Sequence, residues 1–230
     1  MARKDNGNLR TRITTLLARL DNKSSAKLPA SLAPTIKAMR AAVEPYLAAA
    51  DRADTTLSTR DAALEKVANA DAVLDQTIED LAIACVGAKL GKRTQPFAAF
   101  GAPAPSKLVK LAYRKEVEAV TKLLTALAKA DSPAPVKAAA AKVQKNVLAV
   151  ESALDALDGP EAAHVKARTA RDAKLVEASR ALARFRIQAK AALLDDVGAF
   201  EGLFAAESAV AAPTKTKRKS PAKKEPAPAG

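Results

Sequence analysis

An uninterrupted heptad pattern runs through residues 132–160, which read SPAPVKAAAAKVQKNVLAVESALDALDGP. Ser132 and Pro133 suit the cap and first turn of a helix, and the apolar residues that follow are spaced alternately by four and three. This spacing keeps one narrow face of a helix against a partner helix. The face consists of Val136, Ala140, Val143, Val147, Val150, Leu154 and Leu157. We therefore expect a helix over 133–157 that packs against other helices, as in a coiled coil.

The residues Asp158-Gly159-Pro160 predict a break after this helix. Glycine commonly ends a helix and proline commonly begins the next one, and Glu161 suits the positive end of a helix dipole. A further helix is therefore expected over about 160–193. Its apolar face would consist of Leu175, Ala178, Leu182, Phe185 and Ala189.

The same periodicity predicts helices over 8–21, 31–50, about 55–90 and about 106–130. The 55–90 segment has a heptad seam that Asp71 interrupts, and a polar residue in a seam can set the register of the packing. The other seam residues are Leu57, Leu64, Val67, Leu74, Ile78, Leu81 and Cys85. Of 230 residues only 8 are Gly and 3% are aromatic, so strong helix formers dominate long stretches. The fold class predicted is all-α.

The two halves of the chain resemble each other in sequence. Seven residues of the first half have an identical or similar residue 107 positions later. These residues are Leu16, Leu17, Leu20, Ile36, Val43, Glu44 and Leu47, and they match Leu123, Leu124, Leu127, Val143, Val150, Glu151 and Leu154. Such a fixed period predicts an internal duplication, although two Ala/Leu-rich helical segments can also match by chance. We expect two tandem three-helix bundle repeats, over 1–101 and 102–212, followed by a tail over 213–230.

The tail reads PTKTKRKSPAKKEPAPAG and has no apolar period, which predicts disorder. Its composition is similar to the tails of linker histones and of histone-like bacterial DNA-binding proteins. That resemblance implies non-specific contact with the DNA backbone, and the net charge of +13 on the whole chain favours polyanions in general. The tail could also serve only to keep a helical protein soluble. The candidate nucleic-acid-binding residues are Lys215, Lys217, Arg218, Lys219, Lys223 and Lys224, with Lys92 and Arg93 second.

Most catalytic arrangements are excluded by composition. Cys85 and His164 are the sole cysteine and histidine, so one chain cannot supply a disulfide, a Cys-based zinc site or a Ser/His/Asp or Cys/His nucleophile. Glu161 and His164 have the Glu-x-x-His spacing of di-iron bundles, which need that motif twice. The segment from Gly87 to Thr94 departs from a phosphate-binding loop and is better explained as the end of a helix. We expect no enzyme, cofactor, metal or small-molecule substrate.

The sequence thus predicts a non-enzymatic structural or interaction protein in the cytoplasm, with no transmembrane segment. Two phenylalanine pairs, Phe97/Phe100 and Phe200/Phe204, would either close the end of a core or bind a protein partner. The helical seams could also form a homo-oligomer. The alternative is a protein that coats polymer granules or membrane surfaces, like the phasins, which are also Ala-rich and amphipathic.

Overall fold

The structure is a computed structural model that describes residues 2–22 and 28–204, with side chains for 9–22 and 28–204. This part of the chain is helical and contains no strand, which confirms the all-α fold class. The helices are α1 (Ala2–Asp21), α2 (Ala33–Gly87), α3 (Pro105–Leu108), α4 (Tyr113–Lys129), α5 (Ala134–Ala192) and α6 (Val197–Phe204). Short 3-10 turns occupy Ala30–Leu32 and Ala98–Phe100. The tail over 213–230 lies outside the described residues, so its predicted disorder stays a prediction.

The two long helices are continuous where the sequence predicts breaks. The segments predicted separately over 31–50 and 55–90 form the single helix α2, and the predicted break at Gly159-Pro160 is wrong because α5 runs through it. A proline inside a helix removes one backbone hydrogen bond and crowds the preceding turn. Packing outweighs this local cost, since Leu154 and Ala167 are buried on either side of Pro160. Where the sequence predicts two consecutive helices in each half, the chain therefore forms one very long helix, α2 or α5.

The chain divides into two compact units. Of the described residues, those within Met1–Glu44 and Leu175–Gly230 belong to unit 1, and Pro45–Lys174 belong to unit 2. Both long helices pass from one unit into the other. Each unit thus takes one part of α2 from the first half of the sequence and one part of α5 from the second half.

In unit 2, α2 and α5 run antiparallel. Thr56 lies against His164, with 3.4 Å between Thr56 Oγ1 and His164 Nδ1, and further along α2 the amide nitrogen of Asn146 donates to Thr77 Oγ1 at 3.1 Å. From the first contact to the second, the residue number rises along α2 and falls along α5, so the two helices run in opposite directions. Arg60 pairs with Glu161 between these two contacts.

The core of unit 2 is built from the seams that the sequence predicts. Three helices contribute apolar side chains that are buried together. They are Val67, Leu74, Ile78, Leu81 and Cys85 of α2, Val117, Val120, Leu123, Leu124 and Leu127 of α4, and Val136, Val143, Val147, Val150 and Leu154 of α5. Phe97 and Leu108, from the segment between α2 and α4, complete it. Burial of these aliphatic side chains supplies the main favourable free energy of folding.

Unit 1 has a smaller core made from the ends of the chain. Its buried side chains include Leu9, Ile13, Leu16 and Leu20 of α1, Met39 and Val43 of α2, Ala178, Leu182, Phe185 and Ala189 of α5, and Leu203 and Phe204 of α6. A guanidinium nitrogen of Arg19 donates to the backbone oxygen of Leu203 at 3.0 Å, which ties α1 to α6.

Candidate functional site

Three carboxylates converge inside unit 2. Asp71 and Asp75 lie one turn apart on α2, so they share a face of that helix. Glu116 lies in the first turn of α4. One carboxylate oxygen from each of the three residues lies within 4.8 Å of the other two. We call this group the carboxylate cluster.

The carboxylate cluster has no positive partner among the described residues. Glu116 is only 1% exposed, and neither of its carboxylate oxygens has a hydrogen-bond partner. The Oδ1 atoms of Asp71 and Asp75 are also buried without a partner, although the two side chains as a whole are half-buried. Buried polar groups are normally satisfied, and unpaired charges in a core are costly. The cluster therefore needs a neutralising species.

Burial and the repulsion of neighbouring negative charges shift the pKa values of Glu116 and Asp71. Burial, followed by the negative charges of Asp71 and Asp75, raises the pKa of Glu116 to about 8. Burial, followed by the charge of Asp75, also raises the pKa of Asp71 above its ordinary value. Three ionised carboxylates cannot hydrogen-bond to one another, because each is then only an acceptor. A proton or a cation between them would supply the missing attraction.

Only part of this cluster is predictable from the sequence. The heptad pattern identifies Asp71 as a polar residue in a seam, whereas it singles out neither Asp75 nor Glu116. A signal for it exists, because Glu116 precedes Val120 by four residues and Leu123 by seven, which places it on the buried face of α4. Its approach to α2 depends on the path of the intervening chain, which no periodicity predicts.

Predicted residues Lys92 and Arg93 lie in a second feature, the cationic segment, which we define as residues 88–115. It has no Asp or Glu, and its seven basic side chains are all exposed: Lys89, Lys92, Arg93, Lys107, Lys110, Arg114 and Lys115. Arg114 pairs with Asp158 on α5, and Lys115 acts electrostatically on Glu118. The remaining five form no ion pair with any described residue, so their charge faces solvent.

The backbone of this segment holds its cations in place. Lys89 has a left-handed φ of 60°, and the Leu90 amide donates to the Cys85 carbonyl oxygen at 2.9 Å, which closes the end of α2. The prediction that Gly87–Thr94 ends a helix is thus confirmed, with Lys89 rather than a glycine in the left-handed position. Next, a Cβ on Gly91 would lie 2.2 Å from the Pro96 carbonyl oxygen, so only glycine permits this close approach.

The phenylalanine pairs lie at the edges of the two cores. Phe97 is fully buried in unit 2, whereas Phe100 is half-buried. In unit 1 the ring of Phe204 is buried, with centroids 5.0 Å from Phe200 and 6.0 Å from Phe185. Phe97 and Phe204 therefore contribute to cores. Partner binding by these pairs stays a prediction, and it depends on the half-buried Phe100 and Phe200.

Glu161 and His164 contact α2 rather than a common metal-binding position. The Arg60 guanidinium pairs with Glu161, and His164 lies against Thr56. Because α5 is continuous at Pro160, Glu161 is not in the first turn of a helix as the sequence predicts. The tail cations from Lys215 to Lys224 lie outside the described residues.

No protein-family model, no curated protein and no solved structure matches the chain. None of the helices in the described part of the chain combines the length and the apolar character needed to cross a bilayer. Function is therefore inferred from the residues of this chain alone.

Proposed function

We propose that the chain is a non-enzymatic helical interaction protein that contacts the backbone of nucleic acids through its cations. The observation that carries this proposal is the cationic segment, where five exposed Lys and Arg side chains form no ion pair within the described part of the chain and no carboxylate interrupts 28 consecutive residues. Unpaired positive charges on the surface attract polyanions such as nucleic acids. Aromatic side chains are too few for base stacking, so contact is to phosphate rather than to bases.

The tail adds to this surface. Its six basic residues and one acidic residue, Glu225, give a local excess of positive charge. If about five phosphates are neutralised, affinity falls about 500-fold between 50 and 200 mM salt, since each phosphate contact adds about 0.9 to the log–log slope. Binding of this kind is non-specific, with dissociation constants of about 10⁻⁴–10⁻⁶ M at physiological salt.

A salt-titrated DNA shift assay tests the proposal. The full chain is compared with a 1–212 truncation and with a triple variant carrying Lys89→Gln, Lys92→Gln and Arg93→Gln. Each change is expected to weaken binding and to flatten the salt slope, by about 4.5 for the truncation and up to about 2.7 for the triple variant. A matched triple variant, Lys142→Gln, Lys145→Gln and Lys166→Gln, removes three exposed cations of α5 from the same unit and should change the slope little. The proposal would be contradicted if DNA affinity did not change with salt concentration, with removal of the tail or with the triple variant of the cationic segment.

We further propose that the chain arose by internal duplication of a short–long helix pair. Each half of the sequence has a short helix, α1 or α4, followed by a long one, α2 or α5. Unit 1 combines α1 with the start of α2 and the end of α5. Unit 2 combines α4 with the start of α5 and the end of α2. Such an exchange of equivalent parts is expected if a short–long helix pair was duplicated. The tandem repeats over 1–101 and 102–212 are then evolutionary units rather than separately packed ones.

The alternative function, coating of polymer granules or lipid surfaces like the phasins, requires apolar helix faces that can open onto a surface. The seam residues of α2, α4 and α5 instead bury one another in unit 2. Partition of the full chain onto lipid vesicles or polyester particles, in high salt to suppress charge effects, would favour the alternative over nucleic-acid binding. We expect no such partition.

A further inference from the structure

We propose that Asp71, Asp75 and Glu116 form a binding site for one divalent cation of the class that prefers oxygen ligands, such as Ca²⁺, Mn²⁺ or Mg²⁺. The site lies in the interior of unit 2, between α2 and the start of α4, and does not depend on the proposed contact with nucleic acids. Carboxylates are the ligands that these ions prefer, and the cluster contains no imidazole or thiolate that would favour zinc or copper.

The spacing of the oxygens fits a single ion. Calcium binds oxygen at about 2.3–2.6 Å, so two ligands on opposite sides of the ion lie about 4.6–5.2 Å apart. The three carboxylate oxygens lie within 4.8 Å of one another. One Ca²⁺ ion can therefore contact all three oxygens after small side-chain adjustments. Mg²⁺, which forms shorter bonds, requires slightly larger adjustments.

Glu116 gives a second reason to infer a ligand. It is 1% exposed, both of its oxygens lack a hydrogen-bond partner, and it points at two other carboxylates. Its position on the buried face of α4 would suit an aliphatic residue, which would pack there without any charge. Burying an ionised glutamate in this place is costly unless a positive species occupies the cluster.

A cation satisfies the cluster better than a proton does. One proton neutralises one carboxyl group and leaves two charges, whereas a divalent ion attracts all three at once. Asp71 and Asp75 are half-buried, which leaves a path from solvent for the ion and for the waters that complete its coordination. The proton is the competing occupant, and the experiment distinguishes the two.

Isothermal titration calorimetry on the full chain, stripped with a chelator, tests the site with Ca²⁺, Mn²⁺ and Mg²⁺ in turn. At least one ion should bind with a stoichiometry of one per chain. Glu116→Gln and Asp75→Asn should each weaken that binding at least 10- to 100-fold, the loss seen when even an outer partner of a metal ligand is removed. The matched controls Glu79→Gln and Asp80→Asn change exposed carboxylates of α2 and should leave affinity unchanged.

Terbium luminescence provides a second measurement of ion binding that does not rely on calorimetry. Tb³⁺ takes the oxygen ligands of Ca²⁺ and emits when a nearby tyrosine is excited, and Tyr113 lies one turn before Glu116 on α4. Sensitised emission should appear with the wild-type chain and be lost in Glu116→Gln. Tyr113→Phe should remove the emission while the calorimetric affinity for Ca²⁺ stays unchanged, which places the ion beside this turn.

Three results would overturn the proposal. The first is no saturable binding of any of the three ions at millimolar concentration. The second is equal affinity in the wild type and in both Glu116→Gln and Asp75→Asn, with circular dichroism showing that these variants are folded. The third is an equal loss in Glu79→Gln, which would indicate diffuse surface binding. If the chain takes up a proton but binds none of the three ions, the first result applies, and the occupant of the cluster is a shared proton.

Discussion

Glu116 keeps a proton in the folded, metal-free chain at pH values where an unfolded chain has released it. Its pKa is raised from an ordinary 4.5 to about 8 by burial and by the neighbouring aspartates. Between these two values the folded state binds more protons than the unfolded state, so the free energy of unfolding decreases as pH rises. The stabilising effect is complete below about pH 4.5 and is lost as pH passes 8.

We therefore predict that, in chelator, the free energy of unfolding falls between pH 5 and pH 8 by up to about 1.4 kcal/mol per pH unit. Urea melts at several pH values measure it. Glu116→Gln removes the titrating group and should flatten the profile across this window, whereas Glu79→Gln, an exposed change on α2, should preserve the slope. A wild-type profile that is flat or rises with pH would show that Glu116 is ionised throughout.

Gly91 illustrates how a single residue fixes the cationic segment. An added Cβ would meet the Pro96 backbone at 2.2 Å, and backbone atoms cannot move aside cheaply. Gly91→Ala is expected to cost about 1–3 kcal/mol of stability, the usual range for overpacking. Gly87→Ala, at the end of α2 with nothing within 4 Å, is the matched control and should be close to neutral. Equal thermal midpoints for the two variants would contradict the tight turn.

At the level of the helix, the continuity of α5 through Pro160 is the main departure from the sequence-based expectation. Gly159-Pro160 is a strong local signal for a break, and local signals alone favoured two helices. The contacts of Glu161 and His164 with α2 lie just beyond the proline, and they favour continuation of the helix across it. Those contacts join residues about a hundred positions apart, so no local pattern could reveal them.

Pro160→Ala distinguishes the two interpretations. In a continuous helix the substitution restores a backbone hydrogen bond and relieves crowding, so we predict a gain of about 1–3 kcal/mol in the free energy of unfolding. Pro45→Ala, inside α2, should act in the same direction. Pro133, just before α5, is the control, because a proline there is already compatible with the helix start and its loss should cost about 0.4–1 kcal/mol. Destabilisation by Pro160→Ala would indicate a break at 159–160.

For the whole molecule, the heptad seams were predictable but their partners were not. The buried residues of α2, α4 and α5 in unit 2 include most of those that periodicity selects, since spacing alone determines which face of a helix is apolar. Spacing does not say which helix covers that face. The sequence predicts two tandem repeats but does not specify how their helices combine, and unit 2, built from Pro45–Lys174, draws on both halves.

A charge swap between the halves tests this organisation directly. Arg60, from the first half, pairs with Glu161, from the second. We predict that Arg60→Glu and Glu161→Arg each lower the melting temperature, because like charges then face each other across α2 and α5. The double variant restores the pair in reverse and should recover most of the loss, a non-additivity that only contacting residues produce. The local pair Lys122 and Glu118 on α4 should show coupling whichever way the halves pack, since four residues separate its members within one helix. Additive effects at Arg60 and Glu161, alongside coupling at Lys122 and Glu118, would mean that the first half of the chain does not pack against the second in this register.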